Sequence, residues 1–184
     1  MTPRRAWWCA PVALVLALGL GGCGSGSGSQ AQTAATSLSK PAGANPSVSS
    51  KMVCNPQTQS DIEQSLGVHP TQVTTPTWVN HLYTCRYVYP NGSFALSVQE
   101  LSSTAETTRY FDQQAARLGR RPDRIALGQG AFLTTGGSLI VRKNYKVMTV
   151  DTSQLPTQFG NPPQAPSDVA LSVAAIIMTC WKDQ

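Results

Sequence analysis

Hydrophobic and polar positions alternate most regularly between residues 83 and 98. Tyr83, Cys85, Tyr87 and Tyr89 interleave with Thr84, Arg86 and Val88, and Phe94, Leu96 and Val98 interleave with Ala95 and Ser97. A period of two marks half-buried strands, and Pro90-Asn91-Gly92-Ser93 supplies a turn between the runs. Taking Asn91-Gly92 as a two-residue type I′ turn pairs Tyr89 with Phe94, Tyr87 with Leu96 and Cys85 with Val98. Every large apolar residue except Val88 then falls on one face, and Arg86, Ser97 and Gln99 fall on the other. A slip of one residue would undo that sorting.

The period changes to helical spacing on both sides of this hairpin. Residues 57–66 read as a short helix ending at Gly67. Ser103-Thr104-Ala105-Glu106 has the capping-box form, and Tyr110, Phe111, Ala115 and Leu118 follow before Gly119 closes the helix. Residues 131–135, the turn Gly136-Gly137, and residues 138–143 read as strand, turn, strand. Lys143-Asn144-Tyr145-Lys146 turns again into residues 147–151. This alignment puts Phe132, Leu139, Val141, Met148 and Val150 on one buried face. After a loop containing Pro156, Pro162, Pro163 and Pro166, Ser167 caps a last helix to about Trp181. Val169, Val173, Ile176, Ile177 and Cys180 form its apolar stripe. The order predicts an α+β domain: one antiparallel sheet, made of a hairpin plus a three-strand meander, with helices packed on one face.

The first 50 residues follow other rules. Arg4 and Arg5 precede an uncharged apolar run from Ala6 to Gly22, which Pro11 interrupts and which is too short to span a bilayer. It ends in Leu20-Gly21-Gly22-Cys23, an export signal with small residues at the cleavage zone and a cysteine where a lipobox requires one. Cys23 is thus the expected lipidation site, and two or more acyl chains make a stable anchor. Arg4-Arg5 leaves Sec and twin-arginine export both open. From Gly24 the chain is rich in Gly, Ser, Ala and Thr, which cannot offset the entropy of ordering. The expected organisation is a signal peptide over residues 1–22, a lipidated cysteine and flexible tether over 23–51, and a globular domain over 52–184. The tether reaches roughly 5–6 Å times the square root of its length.

Composition refines this picture. Charged residues make up 12% of the 184, and the formal net charge is +5. Without Arg4 and Arg5 the net charge falls to +3, so part of the basic balance belongs to the signal. Of the five cysteines, Cys54, Cys85 and Cys180 fall in the domain, and export favours a disulfide. Cys54–Cys85 is the favoured pairing. Cys54–Cys180 is the alternative, unless Cys180 is a buried thiol on the last helix. No C-x-x-C and no zinc-spaced Cys/His cluster occurs, so no metal or cofactor is expected.

Catalytic chemistry leaves little trace. There is no G-x-S-x-G, and the two histidines, His69 and His81, sit in a loop and at a strand start. Glu100 and Asp151 end strands and could face one another. Arg117, Arg120, Arg121 and Arg124 form the one dense charge cluster. They complement a helix C-terminus and solvate the following loop. Their functional reading is contact with anionic head groups or wall polymers. The compartment excludes nucleic acid.

Four features together, the Leu20-Gly21-Gly22-Cys23 lipobox, the Cys54 helix start, Tyr83-Thr84-Cys85-Arg86-Tyr87 and the Cys180-Trp181 tail, resemble small actinobacterial, especially mycobacterial, cell-envelope lipoproteins of unknown function. The resemblance implies the extracytoplasmic face of the cell membrane as the location, and a monomer held there by its lipid is expected. It implies no catalytic residues. The leading expectation is a non-enzymatic binding or accessory domain that contacts an envelope protein or lipid. A carrier or sensor of a small apolar ligand is the alternative, and an unrecognised hydrolase the third.

Overall fold

One antiparallel sheet organises the computed structural model, which describes residues 41–181. Cys23, the signal and most of the expected tether lie outside the described residues. The strands are β1 (Gln72–Val73), β2 (Thr77–Val79), β3 (Leu82–Tyr89), β4 (Gly92–Glu100), β5 (Gly130–Leu133), β6 (Leu139–Lys143) and β7 (Lys146–Gln154). Their order is β1-β3-β4-β7-β6-β5, with β2 also pairing β3. The helices are α1 (Val48–Met52), α2 (Pro56–Leu66), α3 (Thr104–Leu118) and α4 (Pro166–Cys180). The expected α+β class with a single sheet is therefore the one observed.

Helix boundaries follow their caps. Asn55 accepts from the Thr58 N–H at 2.7 Å at the start of α2, and Gly67 ends it at φ 63°. At α3, Ser103 accepts from the Glu106 N–H at 3.1 Å, and the Glu106 carboxylate accepts from the Ser102 N–H at 2.8 Å. The last helix starts before the expected Ser167. Pro166 occupies its first turn and Ala165 precedes it without a side-chain cap, since proline is preorganised for that position.

The first hairpin turns one step earlier than expected. Tyr89 pairs with Gly92, Tyr87 with Phe94, Cys85 with Leu96 and Tyr83 with Val98. Pro90 and Asn91 are the corner residues, and there the fixed φ and missing N–H of proline cost nothing. The shift is two residues, so every side chain keeps its expected face. A two-residue turn with positive φ at both corners, the type I′ requirement, instead joins β2 to β3 at Asn80 (φ 51°) and His81 (φ 60°).

The second hairpin differs by a single residue, and here the faces change. Leu133 pairs with Leu139 and Phe132 with Ile140 across a five-residue connection, Thr134–Ser138. The Thr134 hydroxyl accepts from the Ser138 N–H at 3.1 Å, closing a loop wider than the expected Gly136-Gly137 turn. Phe132 consequently leaves the face of Leu139, Val141, Met148 and Val150. With Ile140 and Val147 it builds a second core, onto which α3 packs Phe111, with Tyr110, Ala115 and Leu118 at its margin. Helices thus lie on both faces rather than on one. α2 and α4 cover the first, where Ile62, Leu66, Val169, Val173 and Ile177 meet the aromatic side of β3 and β4.

Cys54 and Cys85 form the disulfide, with Cα atoms 6.1 Å apart. It ties the α1–α2 corner to the middle of β3, where the Tyr87 hydroxyl also donates to the Val53 carbonyl at 3.0 Å. Cys180 is an exposed free thiol. It is neither the alternative partner nor buried, because the helix stripe runs past the edge of the core at its last turn and Trp181 is buried in its place.

Residues 41–51, assigned by the sequence to the tether, make specific contacts here. The Ala42 N–H donates to the Leu101 carbonyl, and the Trp78 indole donates to the Ala44 carbonyl, each at 3.0 Å. The buried Glu100 carboxylate accepts from the Ser47 N–H at 2.8 Å and from the Ser50 hydroxyl. A buried carboxylate needs such donors, so α1 is held by the end of β4.

Candidate functional site

The second face of the sheet is only half covered. α3 sits over β5, β6 and part of β7, where Arg142 donates to the Thr108 hydroxyl at 2.7 Å and stacks its guanidinium over Phe111. Over β3 and β4 the outward side chains are Leu82, Thr84, Arg86 and Val88 on one strand and Ser93, Ala95, Ser97 and Gln99 on the other, mostly short or polar, and none is fully buried. The step from the flank of α3 down to these strands forms a groove of about 600 Å³.

Three elements line it. α3 contributes Tyr110, Gln114, Arg117 and Leu118; the sheet contributes Leu82, Ser97, Thr149, Asp151 and Ser153; and the β5–β6 loop contributes Thr134, Thr135, Gly136 and Ser138. Register sets the floor, with Ser97 opposite Thr149 and Ala95 opposite Asp151. Asp151 Oδ1 accepts from the Ser138 hydroxyl at 3.2 Å and from the Ser153 N–H at 3.0 Å, which orients the carboxylate. Arg117 donates to the Gln114 side-chain carbonyl at 2.7 Å. The Thr135 hydroxyl donates to the Leu118 carbonyl at 3.0 Å, fastening the loop to the end of α3. Gly119 permits this approach: its φ is 71°, and a Cβ there would lie 2.7 Å from the Thr135 methyl. Burial pushes the Tyr110 hydroxyl above its ordinary pKa, and Arg117 partly opposes that. At neutral pH the phenol is protonated and can donate.

The four arginines singled out by the sequence divide between two neighbouring concavities. Arg117 belongs to the groove. Arg120, Arg121 and Arg124 line a shallower hollow of about 450 Å³ with Asp123 and Ile125. Within it Arg121 pairs with Asp123 at 2.9 Å, and Arg120 lies over the Phe132 ring at 5.4 Å. Each of these two cations already has a partner within the fold.

The arginines are confined to one face. Among the described residues every arginine lies on α3, in the loop after it, or on the α3-facing side of the sheet. α2 and α4 carry Asp61, Glu63 and Asp168 and no basic residue. The histidines are elsewhere: His69 Nδ1 is 2.8 Å from Glu63, and His81 Nδ1 is 3.1 Å from the Gly43 carbonyl. Glu100 and Asp151 do not face one another, because Glu100 pairs with Lys146 on the first face while Asp151 sits on the second. The space between the sheet and α4 is occupied by Val169, Val173 and Ile177, each at most 1% exposed.

The sequence pointed to Arg117 but did not unite it with Tyr110, Gln114, Ser97, Thr149 and Asp151. The polar side of the first hairpin was legible from its alternation. What brings α3 beside it is the one-residue difference at the second hairpin, which a glycine pair disguises. No family model, curated protein or solved structure matches this chain.

Proposed function

We propose that this chain is an exported envelope lipoprotein of the actinobacterial type, acylated at Cys23, whose folded part is a non-enzymatic binding or accessory domain at the outer face of the cell membrane. The lipobox and the tether that follows it support the location. The observation that carries the binding reading is the groove, whose lining is dense in oriented donors and acceptors and beside which the arginines of the domain collect. A concavity in which several polar groups converge can fix the orientation of a ligand, and here those groups make up most of the lining. Its groups are held by short-range hydrogen bonds, and neither histidine lines it. Both points suit recognition rather than proton transfer.

Two experiments test the reading. A photo-crosslinking residue at Gln114, inside the groove, should capture a species in native cells that the same residue at Gln64, on α2, does not. Equal capture at both positions removes the groove from the account. Cys23→Ala should release the protein from the membrane fraction, and the intact wild-type mass should carry acyl chains. Retention of the variant, with no fatty mass on the wild type, removes the anchor.

A further inference from the structure

The make-up of the groove restricts what it can hold. β4 and β7 are inner strands, paired on both sides, so their backbone offers no edge to an added peptide strand. On this floor only side chains face a ligand, and Gly136 of the β5–β6 loop adds backbone at the rim. Ser97 opposite Thr149, and Asp151 two residues along β7 from Thr149, place hydroxyl and carboxylate groups on a grid about 4.8 Å across the strands and about 6.7 Å along them. Leu82 and Leu118 are the only aliphatic side chains in the lining. An apolar ligand would therefore strip water from groups it could not replace, at roughly 1–3 kcal/mol for each one left unpaired.

A chain of sugar rings meets these demands. Its hydroxyls both donate and accept, as serine and threonine require, and adjacent hydroxyls can both donate to the Asp151 carboxylate. Its C–H face can lie on the half-buried ring of Tyr110, an amphipathic surface with little rotamer freedom to lose. Arg117 adds a charge requirement: it is exposed, its bond within the fold is to a neutral amide, and Arg86 and the arginine loop make the surrounding face basic. Resting on the binding reading above, we propose that the groove takes an anionic glycan, with sugar hydroxyls on Ser97, Thr149 and Asp151 and a carboxylate or phosphate group on Arg117.

The test uses the full chain in detergent and an immobilised panel of uronic-acid-bearing and phosphorylated oligosaccharides beside the neutral oligosaccharide of each. Polyglutamate and glycerophosphate serve as competitors that carry charge without a sugar ring. Charged oligosaccharides should bind about tenfold more tightly than their neutral forms, as expected for a charge-assisted contact. Arg117→Ala should erase that difference, Asp151→Asn should weaken charged and neutral forms alike, and Arg109→Ala, on α3 but lining neither concavity, should change neither. Both arginines are exposed, so unchanged thermal unfolding shows that the variants are folded. Competition by polyglutamate or glycerophosphate as strong as by free oligosaccharide overturns the assignment, because the site would then read charge alone. If no oligosaccharide binds while Gln114 captures a protein in cells, the glycan is overturned and the binding reading stands. If Gln114 also captures nothing beyond the control, both fall.

Discussion

The two faces of the sheet are made by the same strands and behave as opposites. On the first, Tyr87, Phe94, Leu96, Val98, Leu139, Met148 and Val150 are at most 1% exposed and are roofed by α2 and α4. The ring of Tyr87 stacks on that of Phe94 with centroids 4.8 Å apart, and Tyr89 meets Phe159 edge-on at 4.8 Å. On the second, Phe132, Ile140 and Val147 lie under α3, while Ser97, Thr149 and Asp151 do not. One face is a closed core that supplies stability. The other is half core and half trough. The difference shows how a fold frees a surface for recognition: it concentrates apolar burial elsewhere and leaves small polar groups at alternate positions where no helix lands.

The comparison can be broken most directly by truncation on each face. Phe94→Ala on the closed face should cost about 3–5 kcal/mol in urea unfolding. A loss below 1 kcal/mol would show that the aromatic cluster is not the stabilising core. The disulfide belongs to the same face, and its 31-residue separation closes a sizeable loop. Replacing Cys54 and Cys85 together by serine should cost about 2–5 kcal/mol, and an unchanged midpoint would detach that cross-link from the account.

Burial on the closed face also predicts a pH dependence. Tyr87 and Tyr89 are both raised well above the ordinary tyrosine pKa of 10.0, chiefly by desolvation. The folded state therefore keeps protons that the unfolded chain releases. Stability contributed by the neutral phenols is fully present below pH 10 and falls as pH rises beyond it, by up to about 1.4 kcal/mol per pH unit for each group. Unfolding midpoints measured across that range should show the decline, and Tyr87→Phe should remove about half of it. A flat profile in the wild type would contradict the burial of the phenols.

The two hydroxyls sharpen the point at neutral pH. Tyr87 donates to Val53, whereas the buried Tyr89 hydroxyl has no hydrogen-bond partner among the described residues. Tyr87→Phe should cost about 1 kcal/mol, and Tyr89→Phe should be neutral or stabilising. The reverse order in thermal unfolding would mean the two environments are misassigned. The smallest effect belongs to the trough. Ser97→Ala and Thr149→Ala should each change stability by no more than about 0.5 kcal/mol. A larger loss would make the groove floor a structural element rather than a recognition surface.

Particular residues show how far the sequence was legible. Alternation through Tyr83–Val98 assigned both faces of the first hairpin correctly even though its turn was placed one residue late, because a pairing shift of two preserves the side-chain period. At Gly136-Gly137 the same kind of error shifted the pairing by one, and Phe132 went to the wrong side. A local signal was present there. Ala131-Phe132-Leu133 and Leu139-Ile140-Val141 are continuous apolar runs, the mark of strands buried on both faces. The docking of residues 41–51 had no such signal, since Gly, Ala, Ser and Pro carry little hydrophobic pattern and their contacts come from Glu100 and Trp78, more than 30 residues away.

The sequence alone determined the class of fold, the end of α2 at Gly67, the capped start of α3 and the polar side of the first hairpin. Each depends on periodicity or on chemistry within a few residues. The tertiary structure decided which face each helix covers, exposed Cys180, pinned α1 to β4 and joined Arg117 to Ser97, Thr149 and Asp151 in one groove. Those outcomes depend on how distant segments share apolar surface. A balance of that kind is set by the whole packed molecule and is written in no single stretch of the chain.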